Sequence, residues 1–251
     1  MSEDRGTLIV TGGGRGIGAA ISRMAGARGY AVAVNYRSDQ ASADRVVEDI
    51  RRNHGRAMAI QGDVGTEGDV LGLFAAAEQT LGPLSALVNN AGITGGFARI
   101  ESVEAAALER LMAVNVTGAI LCAREAVKRL SGKHGGRGGA IVNISSRAAE
   151  LGAPGEWVHY AASKAAIDAL TIGLGREVAT EGIRVNAVAP GLVETDIHAA
   201  NGDPGRLARL APTIPMARAG TAEEIAEAVL WLLSPAASFV TATILNVGGG
   251  R

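Results

Sequence analysis

One cysteine, Cys122, stands among 251 residues. A lone thiol closes no disulfide within the chain and builds no thiolate metal site. The sequence therefore reads as that of a protein from a reducing compartment, the cytoplasm. Neither sign of charge is in excess: 24 Lys+Arg face 25 Asp+Glu, a net charge of −1. A nucleic-acid-binding surface needs basic excess, so no nucleic-acid partner is expected. No uncharged apolar run reaches the ~18 residues of a membrane span. The opening MSEDRG has no basic segment ahead of its apolar run, so neither membrane nor signal peptide is expected. The histidines His54, His134, His159 and His198 never pair at metal-ligand spacing, and no metal is expected. G-x-S-x-G is absent, which argues against a hydrolase.

What is present is apolar and rich in glycine: 47% hydrophobic residues, enough for a full core, and 35 glycines without a collagen period. Short apolar runs recur: TLIVT (7–11), AVAVN (31–35), AMAIQ (57–61), LSALVNN (84–90), AIVNIS (140–145), IRVNAVAP (183–190) and TILNV (243–247). Each is apolar on both alternating faces, the pattern of a parallel strand covered on both sides. Between them lie stretches with helical spacing, such as Arg45, Val46, Val47, Ile50 and Arg51, or Leu108, Leu111, Met112 and Asn115. The alternation predicts an α/β fold: one domain over 1–251, a doubly wound parallel seven-stranded sheet with helices on both faces. Segment 192–219 is weakly patterned and follows a strand end, where loops line ligand sites.

The first run ends in TGGGRGIG (11–18), and a helical pattern follows. Glycines 12, 16 and 18 let the backbone turn tightly against a pyrophosphate, with the helix N-terminus behind it. The competing reading is a glycine-rich turn without a ligand. Its place between a strand and a helix favours the dinucleotide. Ala19 follows Gly18 in place of Lys-Ser/Thr, which disfavours a nucleoside-triphosphate loop. No acid stands at the tip of the second strand (Asn35, Tyr36, Arg37, Ser38). Arg15 and Arg37 suit a 2′-phosphate, since guanidinium binds phosphate through paired hydrogen bonds. NADP is expected over NAD, with Asp39 the one nearby acid that suits a ribose 2′-OH.

Together these motifs resemble the short-chain dehydrogenase/reductase family, over essentially the whole chain. TGGGRGIG is similar to the family's TGxxxGxG turn. Asp63 in GDV stands where the family contacts adenine, and Asn89-Asn90-Ala91-Gly92 matches its NNAG motif. Asn115, Ser146, Tyr160 and Lys164 match its catalytic tetrad, and Pro190-Gly191 with Thr195 its stretch toward the nicotinamide. The resemblance implies a Rossmann-type fold. It also implies a cofactor set of Gly12, Arg15, Gly16, Ile17, Gly18, Arg37, Asp63, Val64, Asn90, Ala91, Gly92, Tyr160, Lys164, Pro190, Gly191, Val193 and Thr195. Ser146 precedes Tyr160 by one residue more than is usual, and the adjacent Ser145 is the alternative.

The chemistry asks for the same residue types. Tyr160 and Lys164, four apart on a helix, face one way. A tyrosine of pKa about 10 is a poor base at neutral pH, and lowering it to about 7 takes roughly 4 kcal/mol. A cation at ~4 Å supplies about that much at an effective dielectric of ~20. Tyr160 is then the proton donor or acceptor, Ser146 holds the substrate oxygen, and the cofactor carries the hydride. Asn115, on the apolar face of its helix, is either a packing hydrogen bond or, as the resemblance implies, the anchor of a water chain to Lys164.

The expected activity is that of an NADP-dependent alcohol/carbonyl oxidoreductase on a small-molecule ketone or secondary alcohol. The resemblance extends to glucose dehydrogenase-like and oxoacyl-carrier-protein reductase-like members, and implies a homotetramer paired through the helices at 108–130 and 160–181. Loop residues Glu194, Asp196, His198, Asn201 and Asp203 point to a polar substrate. The alternative is a catalytically silent dinucleotide-binding regulator on the same fold. An epimerase or dehydratase is the other enzyme reading.

Overall fold

The computed structural model describes residues 4–194 and 205–251. Thr195, Asp196, His198, Asn201 and Asp203, named above, lie outside the described residues. The seven apolar runs are seven strands: β1 Thr7–Val10, β2 Ala31–Tyr36, β3 Ala57–Gln61, β4 Leu84–Asn89, β5 Gly139–Ile144, β6 Ile183–Pro190 and β7 Ile244–Val247. No boundary moves by more than one residue from the sequence expectation. All neighbours pair parallel, in the order β3-β2-β1-β4-β5-β6-β7. The order reverses between β1 and β4, the place where a doubly wound sheet opens a crevice at its carboxyl edge.

Nine helices are described: α1 Gly16–Ala27, α2 Gln40–Arg52, α3 Glu67–Leu81, α4 Ala105–Met112, α5 Ala119–Leu130, α6 Ala148–Leu151, α7 Val158–Glu177, α8 Arg206–Leu210 and α9 Ala222–Leu233. The period-2 alternation of the strands sorts their side chains between two cores. Leu8, Val10, Val32 and Val34 pack with Ile21, Val46, Ile225 and Val229 of α1, α2 and α9. Ile9, Ala31, Ala33 and Leu87 pack on the other side with Leu73, Phe74, Cys122 and Leu130 of α3 and α5. Cys122 is thus a core residue, and burial pushes its thiol up to about 12.

Helices α4 and α5 run together through one wide turn, Ala113–Gly118, of π geometry. The combined helix Ala105–Leu130 is long and apolar enough to span a bilayer by length and composition. It nonetheless buries Leu111, Cys122, Ala126 and Leu130 against protein, and carries Glu109, Arg110, Arg124, Glu125, Lys128 and Arg129 along its length. The helix expected at 160–181 is α7 followed by a short 3₁₀ turn, Ala179–Glu181.

Candidate active site

A cleft of about 940 Å³ opens at the carboxyl edge, across the reversal between β1 and β4. Its floor is the glycine turn. Gly12 and Gly16 take φ of +61° and +49°, the left-handed region that favours glycine. A Cβ on Gly18 would lie 2.3 Å from the carbonyl oxygen of Gly12. Asn90 braces the turn from β4, its Nδ2 donating to the carbonyls of Thr11 (2.9 Å) and Gly12 (3.0 Å). Asn35 Oδ1 accepts from Gly12 N at 3.2 Å from the β2 side. α1 then begins without a side-chain cap, which leaves its first N–H groups to a ligand. An anionic dinucleotide fits this cradle: backbone close approach, an uncapped helix start and no acid in the turn.

At the far end Arg37 is exposed and lines the cleft beside Arg15. Arg15 Nε stands 3.7 Å from Asp39, both being open to solvent. Asp39 caps α2, accepting from Ser42 N at 3.1 Å and Ser42 Oγ at 2.8 Å, and these bonds hold its carboxyl below the usual range. Asp63 takes Gly65 N at 2.9 Å and the Arg110 guanidinium at 2.7 Å. Partial burial opposes its ionisation, but the Arg110 bond, the Gly65 N–H and the charges of Arg110 and Arg37 prevail and lower it. Arg110, which sequence reasoning did not single out, therefore belongs to the adenosine end of the cleft. Its signal was an Arg on the exposed side of α4, indistinguishable from a solvated face.

Val64, Ala91, Gly92, Pro190, Gly191 and Val193 line the same cleft, as do Ser146, Tyr160 and Lys164. The Ser146 hydroxyl hydrogen-bonds the Tyr160 hydroxyl and accepts from Ala148 N at 3.1 Å. Ser145 turns the opposite way: it is buried, with Oγ 3.4 Å from the Lys164 carbonyl. The extra residue between serine and tyrosine is absorbed by α6 and the turn after it, where Gly152, Ala153 and Gly155 take positive φ.

Lys164 is 5% exposed. Its Nζ donates to the Ile144 carbonyl at 2.7 Å and lies 5.7 Å from the centroid of the Tyr160 ring. The electrostatics differ from the sequence expectation. Burial raises the Tyr160 pKa above its ordinary value, against the Ser146 hydrogen bond. Burial also lowers Lys164 to about 8, against the charge of Asp168. Each group is held toward its neutral form, because both were taken out of water before a charged ligand was there to compensate.

Asn115 lies off the cleft, 2% exposed, inside the π turn. Its Oδ1 accepts from Ile93 N at 2.8 Å, and its Nδ2 donates to Ile93 O at 2.8 Å and Ser163 Oγ at 3.0 Å. The amide is thus a packing clamp between α4–α5, α7 and the loop after β4. Lys164 Nζ and Asn115 Oδ1 both face the position where Gly92 lacks a Cβ, at 3.4 and 3.5 Å from it.

The substrate half of the cleft is walled by Thr94, Gly95, Leu151, Ala153, Pro154, Trp157 and Leu192. Trp157 stacks on Phe97 at 4.4 Å and meets Tyr160 edge-on at 6.1 Å. This wall is apolar. Four of the five polar residues from which a polar substrate was expected lie outside the described residues.

The family described as enoyl-(acyl carrier protein) reductase matches residues 12–251. An uncharacterized oxidoreductase of Escherichia coli K12 is 50% identical over 243 residues, 97% of this chain and 98% of that protein. The 3β-hydroxysteroid dehydrogenase 1 of Eggerthella lenta is 40% identical over 97% of this chain and 92% of that one. Among solved structures, a short-chain dehydrogenase from Burkholderia cenocepacia in complex with NADP superposes with a TM-score of 0.90, at 31% identity and 98% coverage of both chains. The fold, the cradle and these likenesses agree: the chain belongs to the short-chain dehydrogenase/reductase family of oxidoreductases.

Proposed function

We propose that this oxidoreductase prefers NADP and interconverts a ketone and a secondary alcohol, with Tyr160 giving and taking the proton. The observation that carries the reading is the hydrogen bond between the hydroxyls of Ser146 and Tyr160 in the cleft wall, with Lys164 beneath the tyrosine ring. The cofactor, when bound, supplies or accepts the hydride. Gly12, Gly16, Ile17 and Gly18 would hold its pyrophosphate, Asp63 and Val64 its adenine, and Arg15 and Arg37 a 2′-phosphate. Asp39 is engaged by Ser42 and Arg15, which supports the phosphate over a bare ribose. The solved NADP complex of a relative supports the same choice.

Tyr160, protonated at neutral pH, is set to donate to a carbonyl oxygen, and Ser146 to hold that oxygen by a second hydrogen bond. For the reverse direction the phenol must ionise. A unit charge at ~6 Å in an effective dielectric of ~20 contributes about 3 kcal/mol, or about two pKa units. Lys164 alone therefore brings Tyr160 part of the way from about 10 toward 7, and the bond from Ser146 supplies more. Asn115 acts in this reading by fixing the loop 90–93 against Lys164.

The wall of Leu151, Ala153, Pro154, Trp157 and Leu192 supports an apolar substrate in place of the polar one expected from the loop. The assembly proposed is a homotetramer. Ala162, Ala165, Ala169 and Gly173 face outward from α7, and Leu108, Met112 and Ile120 are exposed on α4–α5. These small and apolar faces suit close helix pairing. Exposed Trp231 and Phe239 supply a second face.

The test is turnover with NADPH and NADH across a panel of apolar ketones and sugars. Tyr160→Phe removes only the hydroxyl, so cofactor binding is expected to survive while turnover falls at least about a hundredfold. Ser146→Ala is expected to cost turnover more than cofactor affinity, and Ser145→Ala to be mild by comparison. Cofactor binding without turnover on any carbonyl would favour a regulator.

A further inference from the structure

Asp168 lies on α7 one turn beyond Lys164 and has no part in the chemistry above. In the sequence it reads as a solvated helix position. The structure puts it beneath the cleft. Its Oδ1 is shielded from solvent and has no hydrogen-bond partner among the described residues. Its carboxylate is hydrogen-bonded to Ser145, whose Oγ also stands 3.4 Å from the Lys164 carbonyl. A hydroxyl has one proton, and a charged acceptor takes it more strongly than a carbonyl. The two serines at the end of β5 thus diverge, Ser146 toward Tyr160 and Ser145 toward Asp168.

A shielded carboxylate oxygen without a partner is costly unless a cation compensates it. Two cations act on Asp168, Lys164 and Arg147. Arg147 is already engaged: its NH1 stands 2.7 Å from the Glu150 carboxylate and its Nε donates to the Arg251 carbonyl at 2.7 Å. Lys164 has no such partner. Its Nζ meets the Ile144 carbonyl from β5, the Tyr160 ring from its own helix, and Asn115 Oδ1 across Gly92. All three are neutral. Asp168 is the acid whose charge acts on it.

We propose that Asp168 is a positioning residue whose carboxylate keeps Lys164 protonated beneath Tyr160. The pairing belongs to the protein alone. Its meaning for turnover rests on the reading of Tyr160 and Lys164 given above. Burial drives Lys164 toward its neutral form, and Asp168 opposes it. Burial likewise raises Asp168 and Glu150 adds to that, while the Ser145 bond, Lys164 and Arg147 lower it. The α6 turn therefore contributes both remaining charges, Arg147 and Glu150. β5 and the loop 90–93 contribute neutral groups.

The composition of the chain makes the test direct. It has three lysines, Lys128, Lys133 and Lys164, and the first two have exposed side chains. Protein labelled with ¹³C at lysine Cε gives three titrating signals, and the one lost in Lys164→Met is the buried one. Asp168→Asn keeps the shape and an acceptor for Ser145 while removing the charge. In that variant the Lys164 titration is expected to move down by about one pH unit or more. Glu150→Gln neutralises the other acid of the cluster and is expected to leave Lys164 nearly in place. An unchanged Lys164 titration in folded Asp168→Asn overturns the proposal. Should that variant not fold, the wild type carries the test: an aspartate ¹³Cγ signal must step at the pH where Lys164 loses its proton, and its absence overturns the proposal equally. A moved Lys164 titration together with normal turnover in Tyr160→Phe would uphold the pairing and remove Tyr160 from the mechanism.

Discussion

Gly18 and Asn90 stand so close that a methyl group on the glycine would lie 2.5 Å from the Asn90 side-chain nitrogen. The same methyl would lie 2.3 Å from the Gly12 carbonyl. The amide of Asn90 is therefore packed into the space that the missing side chain leaves, and the turn cannot relax around an addition. Gly18→Ala is expected to destabilise the protein by about 1–3 kcal/mol, the usual cost of overpacking. NADPH affinity is expected to fall with it, because the displaced groups are those that shape the turn. Urea denaturation and a fluorescence titration with NADPH check the two effects. Unchanged stability and affinity would mean the cradle yields more readily than its contacts allow.

Arg37 offers the clearest control of cofactor choice. It is exposed at the cleft edge, so its removal has little to disturb in the fold. Each charge-assisted hydrogen bond to phosphate contributes about 1.5–3 kcal/mol. Arg37→Ala is expected to weaken NADPH by roughly 10- to 150-fold and to leave NADH nearly unchanged. Equal affinities of the wild type for the two cofactors would remove the preference altogether.

The buried ammonium of Lys164 makes stability depend on pH in a defined direction. Its pKa falls from 10.5 to about 8 on folding. At about 1.4 kcal/mol per pH unit, holding the charge in the folded state costs about 3 kcal/mol. The cost is fully present below pH 8, where both states are protonated, and it disappears as the pH rises to 10.5. Lys164→Met sheds the charge but leaves the Ile144 carbonyl without its donor, a loss of about 1–3 kcal/mol. The variant is expected to be more stable than the wild type at pH 7, by up to about 2 kcal/mol. This advantage should vanish by pH 10.5 while catalysis is lost throughout. Denaturant curves at pH 7 and pH 10 check it, and a variant much weaker than the wild type at pH 7 contradicts the sign.

Assembly is open to a single charge. Ala165 lies in the middle of the outward stripe on α7. Ala165→Glu changes nothing in the core but puts a carboxylate where helices would meet. Light scattering is expected to give a tetramer for the wild type and a smaller species for the variant. A wild-type monomer at micromolar concentration would count against the assembly.

The sheet was legible because its strands are buried on both faces, so TLIVT or IRVNAVAP shows continuous apolarity that no surface element would keep. The glycine turn was legible for a different reason: each required glycine removes a specific clash, as at Gly18. The distinction between Ser145 and Ser146 was not legible, because adjacent residues on a strand end differ only in which way they point. The protonation states were not legible either. A sequence pairs Tyr160 with Lys164 by spacing, but it does not show that burial acts on both before they act on each other. Asp168 and Arg110 escaped notice because a charged residue on a helix ordinarily faces water. The π turn around Asn115 has no signal of its own in AVNVTG, which reads as plain helix.

The walls of the cleft come from different stretches of chain. The glycine turn, the tip of β2 and the Asp63 segment shape one half, while the loop after β4, the α6 turn and Leu192 shape the other. Little backbone is shared between them. The second half is therefore free to change its chemistry without disturbing the first. A duplicated gene with this architecture needs to relearn only what it recognises, having inherited how to hold its reductant. Proteins of this build can then diverge to steroids or to sugars while their sheets still superpose.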